Sequence, residues 1–279
     1  MAPAYRIMGI VNVTPDSFSD AGEWFERDAA IAHGRRLVEE GAAILDIGGE
    51  STRPYAEPVP EEEELARVLP VVEALADAPA QLSVDTMKLG VARRAIDAGA
   101  TYINDVTAFR HEPALAALVA ERGCDCCLMH MLGEPRTMQI DPRYEDVVGE
   151  VRAFLEERAA FALGEGIAAE RIMVDPGIGF GKTLDHNLEL LRRLAEIADL
   201  GFPVVIGTSR KAFLGKLAGR EDPHERVAGT VATNVLALER GASVFRVHDV
   251  APVADALAVA AATVRGPWIP TTSPTSSTS

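Results

Sequence analysis

The sequence predicts an α/β protein, a (β/α)8 TIM barrel with its active site at the C-terminal ends of the strands. Three observations predict it. Eight short apolar runs of strand length alternate with eight amphipathic or apolar-faced helical segments, the pattern of buried parallel strands joined by crossover helices. A phrase of helix, glycine, small residue and strand recurs around Gly41, Gly99 and Gly241. The chain has 279 residues, a length that one such barrel fills by itself.

In order, strand 6–13 is an apolar run carrying Asn12 near its end, and helix 28–40 stops at Gly41. Strand 43–47 leads through a Gly-Gly turn to helix 61–75. The four glutamates Glu61–Glu64 open that helix, where carboxylates suit the helix dipole, and they are read as solvated. Strand 81–84 precedes helix 88–98 and Gly99; strand 102–104 precedes helix 113–122 and Gly123. Strand 125–129 leads to the long helix 144–165, closed by Gly166. Strands 171–174, 203–206 and 243–247 pair with helices 184–197, 225–240 and 250–264. Gly41, Gly99, Gly123 and Gly166 stand just past a helix, where a left-handed residue ends it.

Composition excludes several classes. Hydrophobic residues make up 48% of the chain, enough for a large core. No apolar run is long enough for a membrane span, and the N-terminus lacks a cleavable signal pattern. A soluble cytoplasmic protein is expected. The net charge of −15 argues against nucleic acid or a membrane surface as partner. Cys124, Cys126 and Cys127 are odd in number and clustered. They are read as small apolar residues of a buried strand, neither a disulfide framework nor a zinc site. Residues 1–265 are read as one domain, and 266–279, rich in Pro, Ser and Thr, as a disordered tail.

Every strand runs into polar residues at its C-terminal end: Asn12, Asp46, Asp85, Asn104 with Asp105, His130, Asp175, the run Thr208 to Lys211, and Arg246 with His248. In a βα barrel these ends share one face. Carboxylates and amides there suit a flat heterocycle with adjacent N–H donors and ring-nitrogen acceptors. Arg53, Arg210, Lys211, Arg246 and a histidine suit an anion such as phosphate. The loops after strands 1 and 2 mix Gly or Pro with hydroxyls and charge, and are read as mobile lids over this face. Asp175 to Thr183 imitates a phosphate-binding P-loop but is one residue short, with Pro176 where the first glycine belongs. Its glycines are read as allowing close approach to a ligand, and Lys182 as a surface cation.

Met8 to Asp20 and Leu45 to Pro54 resemble the two signatures of the dihydropteroate synthases. Ser83 to Thr86, Ile103 to Asp105, Met129 to Met131, Asp175 to Gly177, Thr208 to Lys211 and Arg246 to Val250 match that family in order and spacing. The resemblance spans nearly all of 5–265. It implies joining of 6-hydroxymethyl-7,8-dihydropterin diphosphate to p-aminobenzoate, with ionisation at the pterin carbon before the amine attacks. By resemblance, Asp46, Asp85, Asn104, Asp175 and Lys211 form the pterin pocket. Asn12, Arg53, Arg246 and His248 meet the diphosphate, with Asn12 also placing Mg2+. Phe18, Thr52, Pro54, Phe180 and Ser209 line the p-aminobenzoate region, where sulfonamides also bind. Asp85, Lys211, Arg53 and Asp16 are the implied catalytic residues, Asp16 through the order of the first loop. Ala212 departs from relatives that carry a hydroxyl there. The resemblance also implies a homodimer. Two rivals share the pocket: a pterin-dependent methyltransferase domain and a noncatalytic pterin-binding paralogue. The role of His130 stays open.

Overall fold

In the computed structural model, residues 5–14, 23–53 and 56–265 are described. Among them eight parallel strands close into a barrel in sequence order, with the last strand returning to the first. The strands are β1 (Arg6–Asn12), β2 (Ile44–Gly48), β3 (Gln81–Asp85), β4 (Tyr102–Asp105), β5 (Asp125–Met129), β6 (Ile172–Asp175), β7 (Val204–Ile206) and β8 (Ala242–Val247). Around them run α1 (Glu23–Glu39), α2 (Glu61–Leu75), α3 (Leu89–Asp97), α4 (Ala114–Arg122), α5 (Val147–Gly164), α6 (Leu184–Arg192), α7 (Leu194–Ala198), α8 (Ala212–Ala218), α9 (Val227–Glu239) and α10 (Val250–Arg265). No helix among the described residues is long and apolar enough to cross a membrane.

The expected strands form within a residue or two of their predicted ends. Three helical details differ, the first being that α1 begins at Glu23, five residues before the expected start. The segment read as one helix over 184–197 breaks at Arg193, whose φ of −103° and ψ of 24° leave the helical region. Helix α8 was not foreseen, because seven residues are too few to show a helical period. The glycine stops hold: Gly41, Gly99, Gly123 and Gly166 all take positive φ. The three cysteines are buried and free, and burial pushes their thiols up, as expected of core residues. The tail 266–279 lies outside the described residues.

The barrel interior follows from a period of two, since residues two apart on a strand share a face. A middle layer is apolar: Met8, Ile44, Tyr102, Cys127, Met173, Val205 and Val244 pack together, all buried. One step below, at the N-terminal ends, the same faces carry a polar plug. Arg6 donates to Gln81 (3.0 Å), Gln81 to Asp125 (2.9 Å), and Arg171 pairs with Asp125 (3.2 Å). One step above, at the C-terminal ends, they carry Asp46, Asn104, Asp175 and Arg246. The plug leaves the upper rim as the face where polar groups can be spent on something other than stability.

Asp105 breaks the pattern by parity. Adjacent to Asn104, it faces the helical layer, where its carboxylate accepts from Thr107 N–H (2.7 Å), Thr107 Oγ1 (2.8 Å) and Phe109 N–H (2.8 Å). It clamps a turn in which Ala108 and Phe109 take the left-handed φ values 53° and 62°. Both are buried in the cluster between α3, α4 and α5. Replacing Asp105 with Ala strands three donors and releases a strained turn. A loss of about 2–4 kcal/mol in urea unfolding is expected; a loss under about 0.5 kcal/mol, the scale of a neutral surface change, contradicts this role.

Candidate active site

The upper rim is organised by one guanidinium. Arg246 of β8 donates from Nε to Asp46 (2.6 Å) and from Nη2 to Asp85 (2.8 Å), joining β8 to β2 and β3 across the mouth. Asp46, fully buried, also accepts from Ser83 Oγ (2.6 Å) and Asn104 Nδ2 (3.0 Å). The Asn104 amide is thereby oriented with its oxygen free for another partner. Burial pushes the Asp85 carboxyl up; Arg246, its bonded partner, opposes the shift and favours the carboxylate, while Asp46 adds to it. Arg246 is pushed further up by its two carboxylates and stays charged.

Asp175 closes β6 on the opposite side. It accepts from Gly177 N–H (2.7 Å), and burial raises its pKa while Lys211 is the leading opposing charge. Lys211 precedes α8 and reaches inward, donating to the Ile178 carbonyl and lying 4.7 Å from the centroid of the Phe180 ring. Burial lowers its pKa to about 8, with Asp175 opposing and Arg246 reinforcing.

A cationic corner lies beside Arg246. His248 N–H donates to Ser209 Oγ (3.1 Å), and that hydroxyl stands 3.0 Å from His248 Nδ1. Where that hydroxyl gives its own proton to Nδ1, the imidazole proton sits on Nε2. Burial, then the charges of Arg246, Arg210 and Arg53, lower the His248 pKa to about 3, which keeps the imidazole neutral. Arg210 is held by Asp249 through two bonds (2.9 and 2.6 Å). Arg53 is exposed and Thr52 half-buried on the segment after β2.

The structure thus brings Asp46, Asp85, Asn104, Asp175, Lys211, Arg246, His248, Ser209 and Phe180 to one rim. Asn12 ends β1 on the same rim, with a side chain that makes no hydrogen bond to a described residue. Asp16, Phe18 and Pro54 lie outside the described residues, as does most of the loop after strand 1. Arg246 and Ser209 carry more than their expected contacts, since each is bonded to other rim residues. No group of three or more His, Cys, Asp or Glu among the described residues can hold a metal. A Mg2+ held by one amide oxygen and mainly by substrate phosphates needs no such group, and Asn12 fits that requirement.

Two readings are corrected. Lys182 is not a surface cation: it is 3% exposed and donates to His130 Nδ1 (2.9 Å) and the Phe180 carbonyl (3.0 Å). His130 accepts as a neutral ring, its pKa lowered to about 2 by burial and then by Lys182. Its role is to bind the β6 loop to the β5 loop. Two glycines of that loop also admit protein: a Cβ on Gly177 would meet the His130 carbonyl oxygen at 1.9 Å, and one on Gly181 would meet Leu132 Cβ at 2.6 Å. Glu64 does not share the solvated turn of its neighbours, being 1% exposed. Ser83 was missed as a site residue, although its position two before Asp85 places it on the inner face.

The pterin binding enzyme family matches residues 8–248 of the chain. A dihydropteroate synthase of Neisseria meningitidis serogroup B is 49% identical over 259 residues, 91% of each chain. The structure of a Xanthomonas albilineans dihydropteroate synthase with 4-aminobenzoic acid superposes with a TM-score of 0.89 at 52% identity, covering 94% of both chains. That of a Xanthomonas albilineans dihydropteroate synthase with 7,8-dihydropteroate gives 0.85 at 50% identity, covering 94% of this chain and 95% of that one.

The charge arrangement makes Lys211 a titrating donor. An NMR titration of its side chain is expected to show a midpoint near pH 8. Asp175→Asn should move that midpoint lower, because a nearby anion favours the ammonium. A wild-type midpoint at the ordinary lysine value would contradict the burial and pairing described.

Proposed function

The chain belongs to the pterin binding enzymes and, among them, to the dihydropteroate synthases, and from that premise we propose that it condenses 6-hydroxymethyl-7,8-dihydropterin diphosphate with p-aminobenzoate, releasing 7,8-dihydropteroate and diphosphate. The observation that carries the reading is the joining of Asp46, Asn104 and Asp85 through Arg246, opposite Asp175 and Lys211. This offers fixed acceptors and donors for a flat, polar heterocycle beside a cationic corner for its diphosphate.

Asp175 accepts from the pterin amino and N3–H groups, Asn104 pairs with the neighbouring ring edge, and Lys211 donates to the carbonyl oxygen and a ring nitrogen. Asp46 acts through Asn104, whose amide it orients. Asp85, bonded to Arg246, completes the pocket. Arg53, Arg246 and His248 Nε2–H hold the diphosphate, and Asn12 is the protein ligand for a Mg2+ carried by it. When bound, Mg2+ neutralises charge on the leaving group. The bond between the exocyclic carbon and oxygen breaks with its electron pair going to the diphosphate, and the electron-rich ring delocalises the positive charge. The arylamine lone pair then forms the C–N bond and the amine proton passes to solvent. The fixed cations favour departure because they are in place before charge develops. Phe180 and Thr52 flank the amine substrate, with Ser209 acting through His248. A homodimer and a cytoplasmic location are part of the same reading.

Turnover tests it. Product formation should require the divalent ion, stop with EDTA, return with Mg2+ and be competed by a sulfonamide. Asp175→Ala should weaken binding of free hydroxymethyl pterin about a hundredfold, as its buried partners lose their acceptor. Arg53→Ala should weaken the diphosphate substrate about tenfold and leave free pterin unchanged, the pattern of a lost anion contact. Tight pterin binding without any product would overturn the reading in favour of a pterin-dependent methyltransferase or a noncatalytic pterin-binding paralogue.

A further inference from the structure

We propose that Lys88 is a positioning residue for this reaction: its ammonium locks Glu50 and thereby sets where Thr52 and Arg53 meet the substrates. The proposal rests on the synthase reading. Lys88 caps α3, three residues past Asp85, and its N–H is accepted by Thr86 Oγ1 (3.2 Å). Its side chain is only 11% exposed and turns toward the segment that follows β2.

Three acceptors surround Lys88 Nζ: Glu50 Oε2 (2.5 Å), Glu64 Oε2 (2.5 Å) and the Val59 carbonyl (2.7 Å). They use all three protons of an ammonium. The other Glu50 oxygen accepts from Val59 N–H (3.3 Å), and Arg67 donates to the Gly49 carbonyl (2.7 Å). The chain is therefore tied where it leaves β2, at Gly49 and Glu50, and again at Val59, just before α2. Thr52 and Arg53 hang two and three residues from the tie.

The charge balance makes Lys88 the weak point. Two carboxylates, 10% and 1% exposed, face a single ammonium. Both bond to one nitrogen, so they lie within about 5 Å of each other, a range in which like charges repel strongly. The second oxygen of Glu64 is buried without a hydrogen-bond partner among the described residues, and the Lys88 ammonium is the cation bonded to both carboxylates. Without the ammonium, Glu50 is the carboxylate free to swing outward, and Thr52 and Arg53 move with it. A cavity of about 10 Å³ lined by Glu50, Thr52, Glu64 and Asp85 lies between this network and the rim. Among the described residues the Lys88 ammonium bonds Glu50, Val59 and Glu64 and none of Asp46, Asp85, Asn104, Asp175 and Lys211, so its main route to the reaction is the segment of Glu50.

The test is a split between ligands that simple destabilisation does not produce. Lys88→Met should raise KM for both the pterin diphosphate and p-aminobenzoate at least tenfold. Calorimetry should show affinity for free hydroxymethyl pterin within twofold of wild type. Lys88→Arg, which keeps the charge, should recover both KM values to within about threefold. Should Lys88→Met not fold, Glu50→Gln carries the test, with the same split expected. Unchanged KM values in a folded variant, or a loss of free-pterin affinity equal to the rise in KM, would overturn the proposal while leaving an active wild type and its assignment intact. A wild type that makes no dihydropteroate overturns the activity reading, and the proposal falls with it.

Discussion

The upper rim depends on the fork that Arg246 makes between Asp46 and Asp85. Two carboxylates at the open end of a closed barrel, one fully buried, are untenable without a cation between them. Removing one partner of such a buried pair costs about 3–5 kcal/mol, because the other charge is left uncompensated. The fork also orients Asn104 through Asp46 and brings β8 to β2 and β3. Arg246 thus stabilises the rim and sets the positive edge of the corner where an anion can sit. A substitution there acts on both duties at once, whereas Arg53, exposed and outside the fork, can be varied for the anion alone.

Rigidity is distributed unevenly around the mouth. The loop after β6 is fixed at nearly every peptide: Gly179 N–H donates to Asn187 (2.7 Å), its carbonyl accepts from Gln139 (2.6 Å), and the Gly181 carbonyl accepts from Tyr144 (2.8 Å). Lys182 and His130 bind the same loop to β5. That side of the rim is therefore built in advance. The segment after β2 is held mainly through Glu50 and Lys88, a pair whose strength depends on one proton-bearing nitrogen. The Asp175 and Lys211 side of the mouth and the segment of Thr52 and Arg53 thus rest on separate networks.

Much of this was legible in the sequence. Strand-length apolar runs and helix-stopping glycines place the barrel, and the polar strand ends place its face. The period of two goes further: Ile44 and Asp46, Tyr102 and Asn104, and Met173 and Asp175 read as core below and site above on the same strand faces. By the same rule Asp105 belongs to the helical side, where it clamps a turn. What the sequence does not show are partners set by tertiary approach. The helical period sets Glu64 apart from Glu61 to Glu63, four residues before Val68 on the buried stripe of α2, but nothing local shows the Lys88 ammonium that meets it there. Lys182 follows glycines that imitate a phosphate loop, and its burial is decided by the β5 loop pressed against them. Helix α8 is too short to carry a period. Arg246 reads as an anion contact from its motif, and its hold on Asp46 and Asp85 appears only when strands 2, 3 and 8 meet.

The central claim is that Arg246 and Asp46 act as one unit. A double-mutant cycle on Asp46→Asn and Arg246→Met, read as unfolding free energy in urea, tests it directly. A coupling of about 2 kcal/mol or more is expected for groups in one network, with the double variant more stable than the two single losses imply. Additive losses, with coupling within about 0.5 kcal/mol of zero, would mean that the carboxylates at the rim do not depend on the guanidinium between them.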